Sequence, residues 1–234
     1  MHESPSPVVA AFDLDGTLTD GGSVFEWLRF IAGRSVANRA AAKLAFPLVI
    51  GAIRSGESAD NAKERLFHVL LAGRDVDEVT AKSQEFATQH LATKQRSRVV
   101  GRLAWHLSQG HDVVIVSASP QLYVDVIADT LAVKGALGTR LAVDARGKFT
   151  GSYLGRNCRG SEKMRRLEEW IDEQGYSSAP EIFAYGNSRG DRRMLRGATH
   201  AYAAGRLGRL GSLRRFSRLP KEPRPPITAG ESKD

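Results

Sequence analysis

Phe12-Asp13-Leu14-Asp15-Gly16-Thr17-Leu18-Thr19-Asp20 follows the apolar run Val8-Val9-Ala10-Ala11 and ends it in acid and glycine. A short apolar run predicts a strand buried on both faces, and in an open parallel sheet such strands present their carboxyl ends to ligands. Asp13 then sits at that end. Asp15, two residues on, falls on the same side of an extended chain, so two carboxylates converge on one small volume. Like charges that close require a cation or a shared proton. The pairing suits phosphoryl transfer: one carboxylate attacks phosphorus and forms an aspartyl-phosphate, while the other protonates the leaving oxygen and later takes a proton from water. A hard divalent cation, Mg2+ above all, would screen the phosphate from the attacking carboxylate. Gly16 permits a sharp exit from the strand, and the Thr17 hydroxyl can donate to a phosphate oxygen. Taken alone, the stretch also reads as an Asp-Gly turn after a strand.

The rest of the chain supplies the context. Its 234 residues hold one domain of ordinary size plus an insertion, and 41% apolar with 26% charged residues is the composition of a soluble globular protein. Of the net +8, residues 204–234 supply +5, which leaves the body near neutral and argues against specific nucleic-acid binding. The single Cys158 permits no internal disulfide. With a short polar amino terminus that lacks the pattern of a signal peptide, it leads to the expectation of a cytoplasmic protein.

Between residues 23 and 92, Ala, Leu, Lys, Arg and Glu dominate and apolar residues recur at helical spacing, as in Val24, Trp27, Leu28 and Ile31. This predicts a helical insertion. Within it, Asp60 begins a helix with Leu66, Val69 and Leu70 inward, and Asp75 caps another with Val76, Val79 and Phe86 inward. The apolar stretch Leu44–Ile53 is too short to cross a bilayer, which takes about 20 residues. It reads as a core helix bent at Pro47 or as a lipid-contacting face.

An amphipathic helix over 97–109, with Val100, Leu103, Ala104 and Leu107 inward, leads to a second strand, His111–Ser119, ending in hydroxyls. Ser119 is expected to cap the following helix and Ser117 to face the site. Residues 137–154 read as a peripheral hairpin turning at 144–148. Asn157-Cys158-Arg159-Gly160-Ser161-Glu162-Lys163 opens another helix, where Lys163 can offset charge developing on a phosphoryl group. A last strand, 180–185, ends in Gly186-Asn187-Ser188-Arg189-Gly190-Asp191. The tail interleaves Arg with Leu and then becomes Pro-rich. It reads as a solvated, largely disordered segment, or as one that meets an anionic membrane surface.

Asp-x-Asp-Gly-Thr after a strand, a strand ending in Ser117, Lys163 at a helix start and Gly186…Asp191 resemble, in order, the four motifs of the haloacid dehalogenase (HAD) superfamily. The insertion and the Ser-Ala-Ser-Pro and Asn-Cys-Arg-Gly wording resemble its phosphoserine-phosphatase-like branch, subfamily IB. The resemblance spans residues 8 to about 203. It implies an α/β fold, with a parallel-sheet, Rossmann-like core over 1–22 and 93–204, an inserted helical C1 cap over 23–92, and a basic tail over 205–234.

It further implies a Mg2+-dependent phosphomonoester phosphatase acting on a small phosphorylated substrate. Asp13, Asp15, Ser117 and Lys163 would be catalytic. Gly16, Thr17, Ala118 and Arg65 would bind substrate, and Asp13, Asp15, Asn187 and Asp191 would hold the metal. Asn187 stands where the family's fourth motif carries a carboxylate, so the site has one negative charge fewer. Gly21-Gly22 stand where phosphoserine phosphatases carry the acid that pairs with the substrate amine. A free amino-acid phosphate and a phospholipid head group both remain open as substrates. Two further readings are a halide-releasing enzyme, which has no use for Asp15 or a metal, and a catalytically silent phosphate-binding or membrane-binding protein.

Overall fold

The computed structural model describes residues 6–54, 56–204 and 213–219, with the backbone alone for 45–54 and 56–59. Eight strands run as β1 (Val8–Phe12), β2 (Asp112–Pro120), β3 (Gly135–Thr139), β4 (Leu141–Val143), β5 (Phe149–Tyr153), β6 (Glu181–Gly186), β7 (His200–Ala203) and β8 (Ser217–Arg218). Six of them form a parallel sheet of order β3-β2-β1-β6-β7-β8, while β4 and β5 make a separate antiparallel pair. The chain winds outward from β1 through β2 to β3, then returns to lay β6 on the other side of β1. That reversal opens a crevice at the carboxyl ends of β1 and β6, where open α/β sheets bind ligands.

The helices are α1 (Val24–Ala32), α2 (Arg34–Arg54), α3 (Gly56–Leu71), α4 (Val76–Lys94), α5 (Ser97–Ser108), α6 (Gln121–Thr130), α7 (Ser161–Glu173) and α8 (Arg192–Gly197). The two-residue period of β1 divides them into layers. Ala10 and Phe12 share an apolar cluster with Leu103 of α5 and Tyr123 and Ile127 of α6, whereas Val9 and Ala11 join Leu167 and Trp170 of α7 and Met194 and Leu195 of α8. Helices α1–α4 lie between β1 and α5 in sequence and continue the first cluster. Tyr123 is the junction: the rings of Trp27 and Phe86 lie 5.7 and 5.3 Å from it. Burying a side chain such as Phe86 stabilises this docking by about 1.5–3 kcal/mol. Asp75 caps α4 as expected, accepting from the N–H groups of Asp77 and Glu78.

Several expectations change. Residues 137–139 belong to β3 in the main sheet, so only 141–153 form the hairpin. In α3, Leu70 is buried and Leu66 packs against the core as expected, whereas Val69 is exposed and Ala62, Phe67 and Leu71 complete the buried face. The stretch 44–53 continues α2 as helix, and its side chains from 45 on lie outside the described residues. Among the described residues no helix is long and apolar enough to cross a membrane. Of the tail, 205–212 and 220–234 lie outside the described residues. Residues 213–219 are ordered: β8 adds to β7, and Leu213 and Leu219 are buried.

Helix α5 buries Val99, Arg102, Leu103 and His106, leaving Ala104 exposed. The imidazole of His106 is hydrogen-bonded to His111, ring nitrogen to ring nitrogen at 2.8 Å, and to the Tyr185 hydroxyl at 2.9 Å. Burial pushes His106 down to about 3, helped by His111 and Arg102. The unfolded chain takes up a proton at this residue near pH 6.5 and the folded chain only near pH 3. Stability is therefore full above pH 6.5 and falls as pH drops through that window, by at most about 1.4 kcal/mol per pH unit from this group. Urea titrations of wild type and His106→Leu between pH 7 and pH 4 should show a shallower pH slope in the variant.

Candidate active site

Asp13 follows β1 directly, and its N–H donates to the Tyr185 carbonyl of β6 at 2.9 Å, which carries the sheet register one residue past the strand. Its side chain is buried and held at both oxygens: Lys163 Nζ reaches Oδ1 at 2.5 Å and the Thr17 hydroxyl donates to Oδ2 at 2.8 Å. Lys163, near the start of α7, is buried as well and also pairs with Asp191 at 2.6 Å. Burial and the neighbouring Asp191 raise Asp13 above the usual carboxylate range, although Lys163 and Thr17 act to lower it. Burial alone would lower Lys163, but Asp13 and Asp191 more than offset that and keep it charged.

Asp191 closes the β6 loop. Its Oδ2 accepts the N–H groups of Asn187 and Ser188 at 3.1 and 2.9 Å and the Ser188 hydroxyl at 2.8 Å, while Oδ1 holds Lys163. These contacts make Asp191 the counter-ion of Lys163 and a brace of the loop. Burial opposes ionisation of Asp191, yet Lys163 and Ser188 hold it below the usual carboxylate range.

Asp15 accepts the N–H of Ser23, just ahead of α1, at 3.0 Å and the Ser119 hydroxyl at 2.9 Å. Ser119 therefore orients Asp15 and does not cap α6, whose first turn follows Pro120. Between the carboxylates Gly16 takes a φ of +75°, a conformation that favours glycine, and a Cβ there would lie 1.8 Å from the Asn187 amide nitrogen. That close approach lays Asn187 across the loop. Thr17, expected at the phosphate, gives its only proton to Asp13.

Asp13, Asp15, Gly16, Ser117, Ala118 and Asn187 line one cavity of about 490 Å3, together with Lys163 and Asp191. Arg65 is not brought there. It is exposed on α3 beside Glu64 and His68, and Lys63 reaches the Ala118 and Asn157 loops instead. Sequence reading also passed over Arg96 and Arg159 on the cavity wall. Arg96 donates to the Gly16 carbonyl at 2.5 Å. Arg159 stands in the same Asn-Cys-Arg-Gly run as Lys163 and could have been taken with it.

The model of the haloacid dehalogenase-like hydrolases matches residues 10–196. The chain belongs to that family. CicA from Caulobacter vibrioides is 30% identical over 193 residues, covering 81% of this chain and 82% of its own. A histidinol-phosphatase from Neisseria meningitidis serogroup C is 23% identical over 194 residues, covering 80% and 86%. A phosphoserine phosphatase solved as a phospho-aspartyl intermediate analogue superposes with a TM-score of 0.60 at 19% identity, covering 85% of this chain and 86% of that one. The HAD chain described here shares that α/β fold and is a phosphatase-type hydrolase.

HAD phosphatases generally use Mg2+. The donors that line the cavity are oxygens, from the side chains of Asp13, Asp15, Asn187 and Asp191, a set that fits a hard cation. Among the described residues no group of three or more His, Cys, Asp or Glu side chains could hold a metal ion.

Proposed function

We propose that the chain is a Mg2+-dependent phosphomonoester phosphatase acting through an aspartyl-phosphate on Asp13. The observation that carries the reading is Asp13 itself, a buried carboxylate at a strand end, oriented by Thr17 and Lys163 on a cavity that Asp15 shares. An Asp13 oxygen attacks phosphorus, and the ester oxygen leaves with a proton from Asp15. Asp15 then takes a proton from the water that hydrolyses the phosphoryl group on Asp13. Ser117, with the backbone of Gly16 and Ala118, faces the phosphate, and Lys163 offsets the charge that develops during transfer. Asp13, Asp15, Asn187 and Asp191 would hold Mg2+, which would supply positive charge between the phosphate and the attacking carboxylate. The helices over 23–92 serve as the cap that excludes water until the alcohol has left.

The substrate is a small metabolite or lipid head-group phosphate, in keeping with a cavity of about 490 Å3. With Arg65 turned away and glycines at 21 and 22, the partners expected for phosphoserine are missing, and Arg96 and Arg159 offer cations to a second polar group instead. The test is hydrolysis of a panel of soluble phosphomonoesters, and of lipid phosphates in mixed micelles, with and without Mg2+. Hydrolysis that a chelator abolishes is expected. Halide release that survives chelation would contradict the reading.

Asn187→Asp sharpens this test. A new unit charge about 4 Å from the cation is worth on the order of 4 kcal/mol at an effective dielectric near 20. Its own desolvation and repulsion from Asp13, Asp15 and Asp191 remove most of that. The Mg2+ concentration for half-maximal activity should fall about tenfold, or about 1.4 kcal/mol. If only the variant turns over, the wild type is a silent phosphate-binding protein. An identical Mg2+ response in both would mean that Asn187 does not touch the metal.

A further inference from the structure

Two side chains of helix α3, Lys63 and Asp60, reach the cavity loops without lining the cavity. Lys63 Nζ donates to the Ala118 carbonyl at 2.5 Å and to Asn157 Oδ1 at 3.1 Å. The Thr139 hydroxyl lies 2.8 Å from each of the same two oxygens and itself accepts the Cys158 N–H at 3.1 Å. A hydroxyl has one proton and an ammonium has three. Thr139 can therefore serve only one of the two oxygens, and Lys63 completes the count. Thr139 and Asn157 are buried, where an acceptor left without a donor is destabilising.

The two oxygens belong to the two loops that matter. Ala118 follows Ser117, and Asn157 opens the run that leads to Lys163. Asn157 is turned the right way round by its own amide N–H, which donates to Asp60 at 2.8 Å, one helical turn before Lys63. Asp60 also pairs with Arg159 on the cavity wall at 3.3 Å. The Lys63 ammonium lies over the rings of Phe67 and Tyr153, 5.5 and 5.8 Å from their centroids.

We propose that Lys63 is a positioning residue: it braces the Ala118 and Asn157 loops, so that the phosphate-binding groups are held in place only while α3 is docked against the core. This rests on the phosphatase reading above. Burial pulls Lys63 down to about 8, helped by Arg159, while Asp60, Asp15 and Cys158 favour its charged form.

The test uses the full chain as wild type, Lys63→Met and Lys63→Arg. It measures kcat and KM on the best ester of the panel, thermal stability, and the affinity for inorganic phosphate by calorimetry. Lys63→Met should lower kcat by about 10–100-fold, the range that a small misplacement of catalytic groups produces. It should also weaken phosphate binding several-fold, while Lys63→Arg, which keeps charge and donors, recovers most of both. A Lys63→Met protein with wild-type kcat and phosphate affinity overturns the proposal whatever its melting temperature, since a purely structural role moves stability alone. If Lys63→Met does not fold, Lys63→Gln is measured against the same criteria. Phosphate affinity needs no turnover. A wild type inactive on every ester therefore removes the phosphatase reading, while the role of Lys63 is still decided by calorimetry.

Discussion

Asp13→Asn should abolish turnover, by on the order of 10⁴-fold or more, and leave a folded protein. The size follows from chemistry: an amide cannot attack phosphorus to give the acyl-phosphate, and no other carboxylate is free to replace it. Asp15 is turned toward Ser23 and Ser119, and Asp191 is held by Lys163 and the β6 loop. The fold survives because the change is isosteric and the Asp13 N–H keeps its bond to Tyr185. Lys163 also keeps Asp191 as a partner. Steady-state rates with a circular-dichroism melt check both halves. Near-normal turnover in a folded variant would remove Asp13 as nucleophile.

The second large effect lies in Lys163→Met. Lys163 is 2% exposed and stands between two carboxylates at 2.5 and 2.6 Å. Removing it leaves Asp13 and Asp191 buried side by side without a cation, and deleting one partner of a buried ion pair typically destabilises by about 3–5 kcal/mol. Turnover should fall in addition by about 10²–10³-fold, the scale for losing one electrostatic stabiliser of a transition state. Lys163→Arg should recover much of the stability but less of the rate, because the longer planar guanidinium does not fit the same point between the two acids. Chemical denaturation and rates per folded molecule separate the two losses. A Met variant as stable as wild type would show that the cluster is not ionised as described.

The strand ends were legible in the sequence because apolar runs that stop at Asp13, Ser117 and Gly186 announce both the buried strand and the polar edge where it ends. The α/β class followed from the family resemblance that the motifs at those strand ends carry. What was not legible depended on angle or on competition between partners. Arg65 came forward from the family resemblance alone, and Lys63, two residues before it on α3, was passed over because a lone Lys in a helix reads as a solvated residue. Thr17 has the right chemistry for phosphate, but the nearer Asp13 carboxylate takes its proton. Strand β8 was read as tail because its anchors, Leu213 and Leu219, bury against elements distant in sequence and carry no local pattern.

The central claim is that Asp13 carries the phosphoryl group. Its most direct test is to mix the enzyme and Mg2+ with its best ester, quench with acid within the first turnover, digest, and analyse the peptides by mass spectrometry. One phosphoryl group on the peptide containing Asp13 is expected in the wild type, and none in Asp13→Asn. Turnover with no phosphorylated peptide, or with the phosphoryl group on another residue, would contradict the account.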